Sequence, residues 1–272
     1  PAFTDALTAD EITRVIDYLR GFCTERGWPR GDLNLPRPLV TEKAFPENEA
    51  VLTTTVSTNA PGSVVNRFTY EHRVGRRGQY EVLVPFTVQQ QATRSWNRGL
   101  GDIAVAYKHV LFDSLKSGSI LSGGSEMTFP TGKENEGLGT RLTVFEPFGT
   151  FSQMMPRDGF FHIHSGFEVP LNIETASSEF FFRAAVGKTF SQRNWGRAWS
   201  PMVEVLTTRE LAPDEETRWE LVPELQVSLS RRQHILVNVG VRLPVNQRSG
   251  RHPVVMMYVL WDWFDGGLTQ GW

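Results

Sequence analysis

His162 and His164 stand two residues apart, and Glu168 follows four further on. On a strand all three point to one face, and two imidazoles with a carboxylate can hold a metal ion. Spacing names no further ligand, so no metal is assigned. His164 is followed by Ser165, but neighbouring strand residues point to opposite faces. They cannot make the hydrogen bond between nucleophile and base that hydrolysis needs, and no other Ser–His spacing stands out. Gly99-Leu100-Gly101-Asp102 and Gly137-Leu138-Gly139 lack the dinucleotide fingerprint, and Gly132-Lys133 lacks the rest of a phosphate loop. These glycines read as turns and strand starts. Cys23 is the one cysteine, which rules out an intrachain disulfide and a Cys-rich metal site. No catalytic, cofactor-binding or metal-ligating residues are expected, and the chain is not read as an enzyme.

What remains is charge in ordered positions. Glu81, Lys108, Glu168, Arg183, Glu204, Glu224 and Arg242, with His162 and His164, occupy the polar faces of alternating segments. In the segment 233–245, Ile235, Val237, Val239, Val241 and Leu243 interleave with His234, Asn238, Gly240 and Arg242. That is period two, the strand period. The pattern recurs over roughly 48–60, 63–75, 79–91, 101–113, 117–130, 140–153, 158–171, 177–191, 196–209, 216–230, 233–245 and 253–265. These twelve segments are longer than soluble strands and long enough to cross a bilayer at a steep tilt. The expected fold is all-β: one antiparallel transmembrane β-barrel of about twelve strands, occupying 48–272.

Composition agrees. Apolar residues make up 40% of the 272, yet mean hydropathy is -0.29, and no run approaches a membrane-spanning helix. A membrane barrel needs only every second residue apolar. The net charge of -2 offers nothing to nucleic acid. Trp195, Trp199, Tyr258, Trp261, Trp263, Phe264 and Trp272 gather near strand ends, as an interfacial girdle would. Lipid therefore takes the apolar face, and the nine charged and imidazole residues line the lumen. A charge at mid-bilayer facing lipid would cost about 2–4 kcal/mol for Arg or Lys. Both signs occur, which suits a paired interior as well as a water-filled path. A soluble barrel holding a hydrophobic ligand, or a purely structural outer-membrane anchor, remains the alternative.

Ahead of the strands come two other segments. Thr8 and Glu11 form a capping box, and Ile12, Val15, Ile16, Leu19 and Phe22 follow at helical spacing. A short helix over 8–22 is expected. Residues 24–47 carry Pro29, Pro36, Pro38 and Pro46 and read as an extended connector lying along the barrel wall.

Two resemblances add to this. Pro1-Ala2-Phe3, Leu7-Thr8-Ala9-Asp10-Glu11-Ile12 and Tyr18-Leu19-Arg20 resemble the last helix of a c-type cytochrome domain, here residues 1–23. The start at Pro1 then reads as internal or processed. There is no Cys-x-x-Cys-His, so haem c is implied only for an upstream domain, with a periplasmic cytochrome as partner. Gly99-Leu100-Gly101-Asp102-Ile103, Phe129-Pro130-Thr131-Gly132 and Gly137-Leu138-Gly139 resemble the outer-membrane family named for the meta-pathway of phenol degradation. Asn34-Leu35-Pro36-Arg37 and Thr41-Glu42-Lys43-Ala44-Phe45-Pro46 resemble the junction in proteins that fuse a cytochrome to such a barrel. The resemblance implies a bacterial outer-membrane barrel, embedded in lipid, acting as a porin-like or electron-transfer conduit.

Overall fold

A computed structural model describes residues 6–22, 29, 31–57, 59, 62–91, 95–172, 176–192, 197–230, 233–247 and 249–263. Alternation along the chain becomes fourteen strand segments. They are β1 (Glu49–Ser57), β2 (Ser63–Val74), β3 (Gly78–Gln90), β4 (Trp96–Leu100), β5 (Ile103–Ser114), β6 (Ser119–Phe129) and β7 (Val144–Met155). Then follow β8 (Gly159–Pro170), β9 (Glu179–Lys188), β10 (Phe190–Gln192), β11 (Arg197–Glu210), β12 (Arg218–Ser228), β13 (Ile235–Pro244) and β14 (Val254–Asp262).

Two pairs of segments are single staves with a break. β4 and β5 both pair with β3, and β9 and β10 both pair with β11. Twelve staves result, each antiparallel to its neighbours, closed by β14 against β1 and by β9 against β11. The sequence pattern places the fourth stave at 101–113 and misses Trp96–Leu100, because Gly101 and Asp102 interrupt the alternation. Pro85, Pro147, Pro201 and Pro223 sit inside staves; at Pro147 and Pro223 the ladder is locally broken, as a missing N–H requires.

The faces sort as the alternation predicts. Leu52, Phe68, Phe86, Val105, Val203, Leu225, Val239 and Val259 point outward and are exposed, giving an apolar belt around the wall. A continuous belt of that size suits lipid and not water. Opposite them Gln79, Glu71, Lys108, Ser152, Glu204 and Asn238 point inward and are buried. A soluble ligand-binding barrel would show the reverse arrangement.

One end, where β1 begins and β14 finishes, carries the short connections 75–77, 115–118 and 156–158. Gly75 (φ 62) and Gly118 (φ 70) supply the left-handed positions two of these turns require. The other end carries longer loops, the longest at 130–143. Below, these are the terminal end and the loop end. Trp195, Phe264 and Trp272 lie outside the described residues. Trp263 stacks on Tyr70 with centroids 5.8 Å apart, near the terminal end. Tyr258 departs from the expected girdle: it faces the lumen and is 1% exposed.

A helix α1 (Ala9–Arg20) precedes the barrel, with Gly21 as its C-cap. The Thr8 N–H donates to Glu11 Oε2 at 2.8 Å, and the Glu11 N–H donates to Thr8 Oγ1 at 3.3 Å. The Thr8 N–H, helped by its hydroxyl, holds the Glu11 carboxyl below the usual carboxylate range. Val15, Ile16, Leu19 and Phe22 are exposed along one stripe. Among the described residues no helix is long and apolar enough to cross a membrane.

Candidate functional site: a plugged lumen

Residues 31–48 do not lie along the outer wall. They enter the lumen at the terminal end, rise to mid-barrel near Val40, and return to start β1. The segment is irregular, so its N–H and C=O groups lack a ladder and must find partners elsewhere. Inward side chains supply them. The N–H groups of Leu39, Val40 and Thr41 donate to Glu224 and Glu204 at 2.9, 3.0 and 2.6 Å. Those of Ala44 and Glu47 donate to Ser152 Oγ at 3.1 Å and Gln79 Oε1 at 2.6 Å. In return, the carbonyl of Arg37 accepts from Tyr258 Oη at 2.7 Å, that of Glu42 from Thr150, and that of Ala44 from Ser122, both at 2.6 Å. Around these bonds sit two small apolar clusters. One is Leu33, Ala44, Phe45, Val110 and Ile120; the other joins Leu39 to Val51, Tyr258 and Leu260. Gly240 is needed here, because a Cβ would lie 2.6 Å from Leu39 Cδ1.

Three cations on or against this plug carry its electrostatics. Arg37 Nη1 lies 2.5 Å from both Glu49 and Glu71. Lys108 Nζ lies 2.5 Å from Glu42 and donates to the Lys43 carbonyl at 2.9 Å. Lys43 pairs with Glu47. Buried charges persist only when paired in this way.

On each side of the plug is a cavity. The terminal-end cavity is about 640 Å³ and includes Asn34, Met154, Ser228 and Asp262 in its wall. The loop-end cavity is about 970 Å³, floored by Leu39, Val40 and Glu42 and walled by Arg67, Glu126, Glu146 and Arg242. Arg37 lines both.

The loop 130–143 folds over the mouth of the larger cavity, and this accounts for the glycine motifs. Asp102 accepts from the Gly132 N–H at 2.9 Å and from the Thr140 N–H at 2.8 Å. The Glu136 carbonyl accepts from Gln89, Gln91 and Asn97. Leu138 is buried against Gly99, Gly101 and Pro85, where a Cβ on Gly99 would lie 2.8 Å from its Cδ1. Residues 99–102, 129–132 and 137–139 are thus one packed unit, not phosphate loops.

Each residue expected in the lumen can now be placed. Lys108, Glu204 and Glu224 hold the plug as described. His162 bonds the Pro36 carbonyl through Nε2 at 3.0 Å, and His164 Nδ1 accepts from the Glu42 N–H at 3.4 Å. Glu81, Glu168, Arg183 and Arg242 line the loop-end cavity. Arg183 lies 4.2 Å over the Phe181 ring and 3.9 Å from Glu168, and Arg242 pairs with Glu220. The histidines do not converge with Glu168 as metal ligands. Among the described residues, the carboxylates that do converge are Glu42 with Glu71 and Glu81, and Glu47 with Glu49 and Asp262.

Spacing gave no hint of a second histidine role. Ser152 and His162 are cross-strand partners, with Oγ 2.7 Å from Nδ1. The Nε2 contact with Pro36 fixes the tautomer in which Ser152 donates. Both side chains are fully buried, and Ser152 already accepts from Ala44, so this pair serves as a plug anchor. Glu49, Glu71, Gln79 and Tyr258 were also missed. The first three were available from inward parity in β1, β2 and β3, while Tyr258 was hidden by its aromatic neighbours.

An apolar outer belt around a polar, plugged lumen defines the class: a twelve-stave membrane β-barrel. No family model and no curated protein matches the chain. Solved structures do. An outer membrane channel from Pseudomonas putida F1 aligns with a TM-score of 0.58 at 10% identity, covering 83% of this chain and 99% of that one. The KdgM porin aligns at 0.52 and 7% identity, covering 79% and 98%. The NanC porin aligns at 0.50 and 10% identity, covering 78% and 99%.

Proposed function

We propose that the protein is a porin-like barrel of the bacterial outer membrane whose conductance is restricted by its own plug. The observation that carries this is the pair of cavities separated by one irregular segment and sharing Arg37. Small solutes would collect in the loop-end cavity and pass the plug at Arg37. Short turns mark the periplasmic side of such barrels, so the terminal end, the plug root and α1 face the periplasm. Planar-bilayer recording tests the reading. The intact chain should show small single-channel steps, and a chain lacking residues 34–46 should show steps several-fold larger. If both variants carry no current, the barrel is an anchor and not a channel.

The exposed stripe of α1, Val15, Ile16, Leu19 and Phe22, favours an added role. We infer that it packs on an upstream c-type haem domain held at the periplasmic mouth, making the barrel a support for electron transfer. The resemblance of residues 1–23 to a cytochrome's last helix supports this. The absorbance spectrum of the full gene product tests it: a Soret band with sharp reduced α and β bands is expected, and a spectrum with none sinks the idea.

A further inference from the structure

We propose that the outer wall over β2, β3 and β5 holds an anionic phospholipid of the terminal-end leaflet, its phosphate seated on a shelf of tyrosine, histidine and arginine side chains. The site faces lipid and not the lumen, so it stands whether or not the barrel conducts. In the orientation proposed above, that leaflet is the periplasmic one.

The shelf follows from the register at the terminal end. His72 pairs with Tyr80, Tyr80 pairs with Tyr107, and Gly78 pairs with His109. Rings from three neighbouring strands therefore stand together on the outward face. The His72 and Tyr80 centroids are 5.4 Å apart, and Tyr107 Oη lies 3.2 Å from His109 Nδ1. Tyr70 extends the row, 6.3 Å from Tyr80, and Trp263 stacks on it at 5.8 Å. Gly78 leaves the room for Tyr107, because a Cβ there would lie 2.6 Å from its Oη.

These tips are donors. Phenol O–H and imidazole N–H groups can each donate to a phosphate, which accepts through several oxygens at once. At the edge, in the turn 75–77, Arg76 is exposed and has no ion pair among the described residues, while Arg77 is turned back to Asp113. The outward positions of β2 and β3, and of β5 as far as His109, carry no carboxylate. A zwitterionic headgroup would bring a cation with no acid to meet it, whereas an anionic one leaves nothing unmatched.

An interfacial girdle by itself would spread such residues around the rim. The next arc shows that they are not spread: β6, β7 and β8 put no tyrosine, tryptophan or histidine on the outward face, where Leu121, Phe151 and Phe161 stand instead. Toward mid-bilayer the shelf strands continue as Phe68, Phe86 and Val105, all exposed. From Tyr80 to Phe86 the chain climbs about 15 Å at a tilt of about 40°, the depth of one leaflet's hydrocarbon. Headgroup and acyl chains thus meet shelf and belt in the order that a lipid presents them.

Native mass spectrometry of the full chain, released from bilayers of phosphatidylcholine and phosphatidylglycerol in equal parts, tests the site. The intact barrel should retain phosphatidylglycerol over phosphatidylcholine by about tenfold, the scale of one charge-assisted hydrogen bond. Arg76→Gln with Tyr80→Phe and Tyr107→Phe keeps every ring and should abolish the preference. Lys116→Gln with Arg157→Gln removes two exposed charges from the neighbouring turns and should leave it in place. No preference in the intact chain, or one unmoved in the first variant, overturns the proposal. Equal loss in the second variant also overturns it, since attraction would then be diffuse over the rim. Heat-resistant gel mobility shows whether the variants have folded. Should the first not fold, Arg76→Gln alone should still lower the preference several-fold, and an unchanged preference there overturns the site. Planar-bilayer current bears only on the porin reading.

Discussion

Arg37 brings together two carboxylates that lie on different strands, Glu49 and Glu71, and seats them against the plug. Removing its charge leaves Glu71 with the Gln79 amide alone and Glu49 with only a long contact to Lys43. Arg37→Met should cost about 3–5 kcal/mol, the range for breaking a buried pair from one side. Heat-dependent mobility on a denaturing gel would register this as a lower transition temperature. Adding Glu49→Gln and Glu71→Gln should recover most of it. If Arg37→Met alone is neutral, the plug is held by its backbone bonds and not by charge. At this scale period two places Glu81, Lys108, His162, His164, Glu168, Arg183, Glu204, Glu224 and Arg242 on inward faces. It could not tell that five of them receive a connector, because Val40 to Glu204 spans 164 residues of sequence. Nor could it pair Ser152 with His162, which needs the register of two strands.

Elements show a similar division. The capping box and stripe of α1 are local, and the helix lies where they put it. Stave limits fall close to the alternating segments because lipid outside and polar groups inside enforce strict alternation. The connector is different. Its prolines announce irregular backbone, but irregular backbone fits an outer surface or an inner one equally well. What decides is that its unladdered N–H groups find Glu204, Glu224, Ser152 and Gln79 inside. The loop 130–143 is likewise held from the barrel, by Asp102 at its two ends and by Gln89, Gln91 and Asn97 at Glu136. Asp102→Ala removes the acceptor for Gly132 and Thr140, each a charge-assisted bond worth about 1.5–3 kcal/mol. The loop should become cleavable by a protease that spares the intact barrel, with the staves unaffected. Equal resistance in both proteins would show that Leu138 packing and the bonds to the Glu136 carbonyl are enough to hold it.

For the molecule as a whole, the apolar belt sets the solvent. The purified barrel should remain monodisperse only with detergent or lipid present, and dispersal in plain buffer would contradict the membrane reading. Depth can be probed at Val239, outward-facing within β13 and 46% exposed. Val239→Arg should cost about 2–4 kcal/mol in a bilayer, as a charge placed in hydrocarbon does. The same change at Thr128, which lines the loop-end cavity, would not meet lipid, and comparing the two separates belt from lumen.

The plug's root also bears on how the barrel is built. The connector runs straight into β1, and β1 closes the cylinder against β14, whose Tyr258 bonds the connector at Arg37. Once that seam has zipped, the plug would have to be threaded in whole, with Leu33 and Phe45 forced between Val110 and Ile120. The plug is therefore a mandrel around which the last staves wrap, and assembly has a required order. With Cys23 replaced, Leu39→Cys and Leu260→Cys, at positions that share one apolar cluster, should be joined by a short thiol-reactive bifunctional reagent during refolding no later than heat-resistant mobility appears. A cross-link that lags behind would mean that an empty cylinder closes first and is filled afterwards.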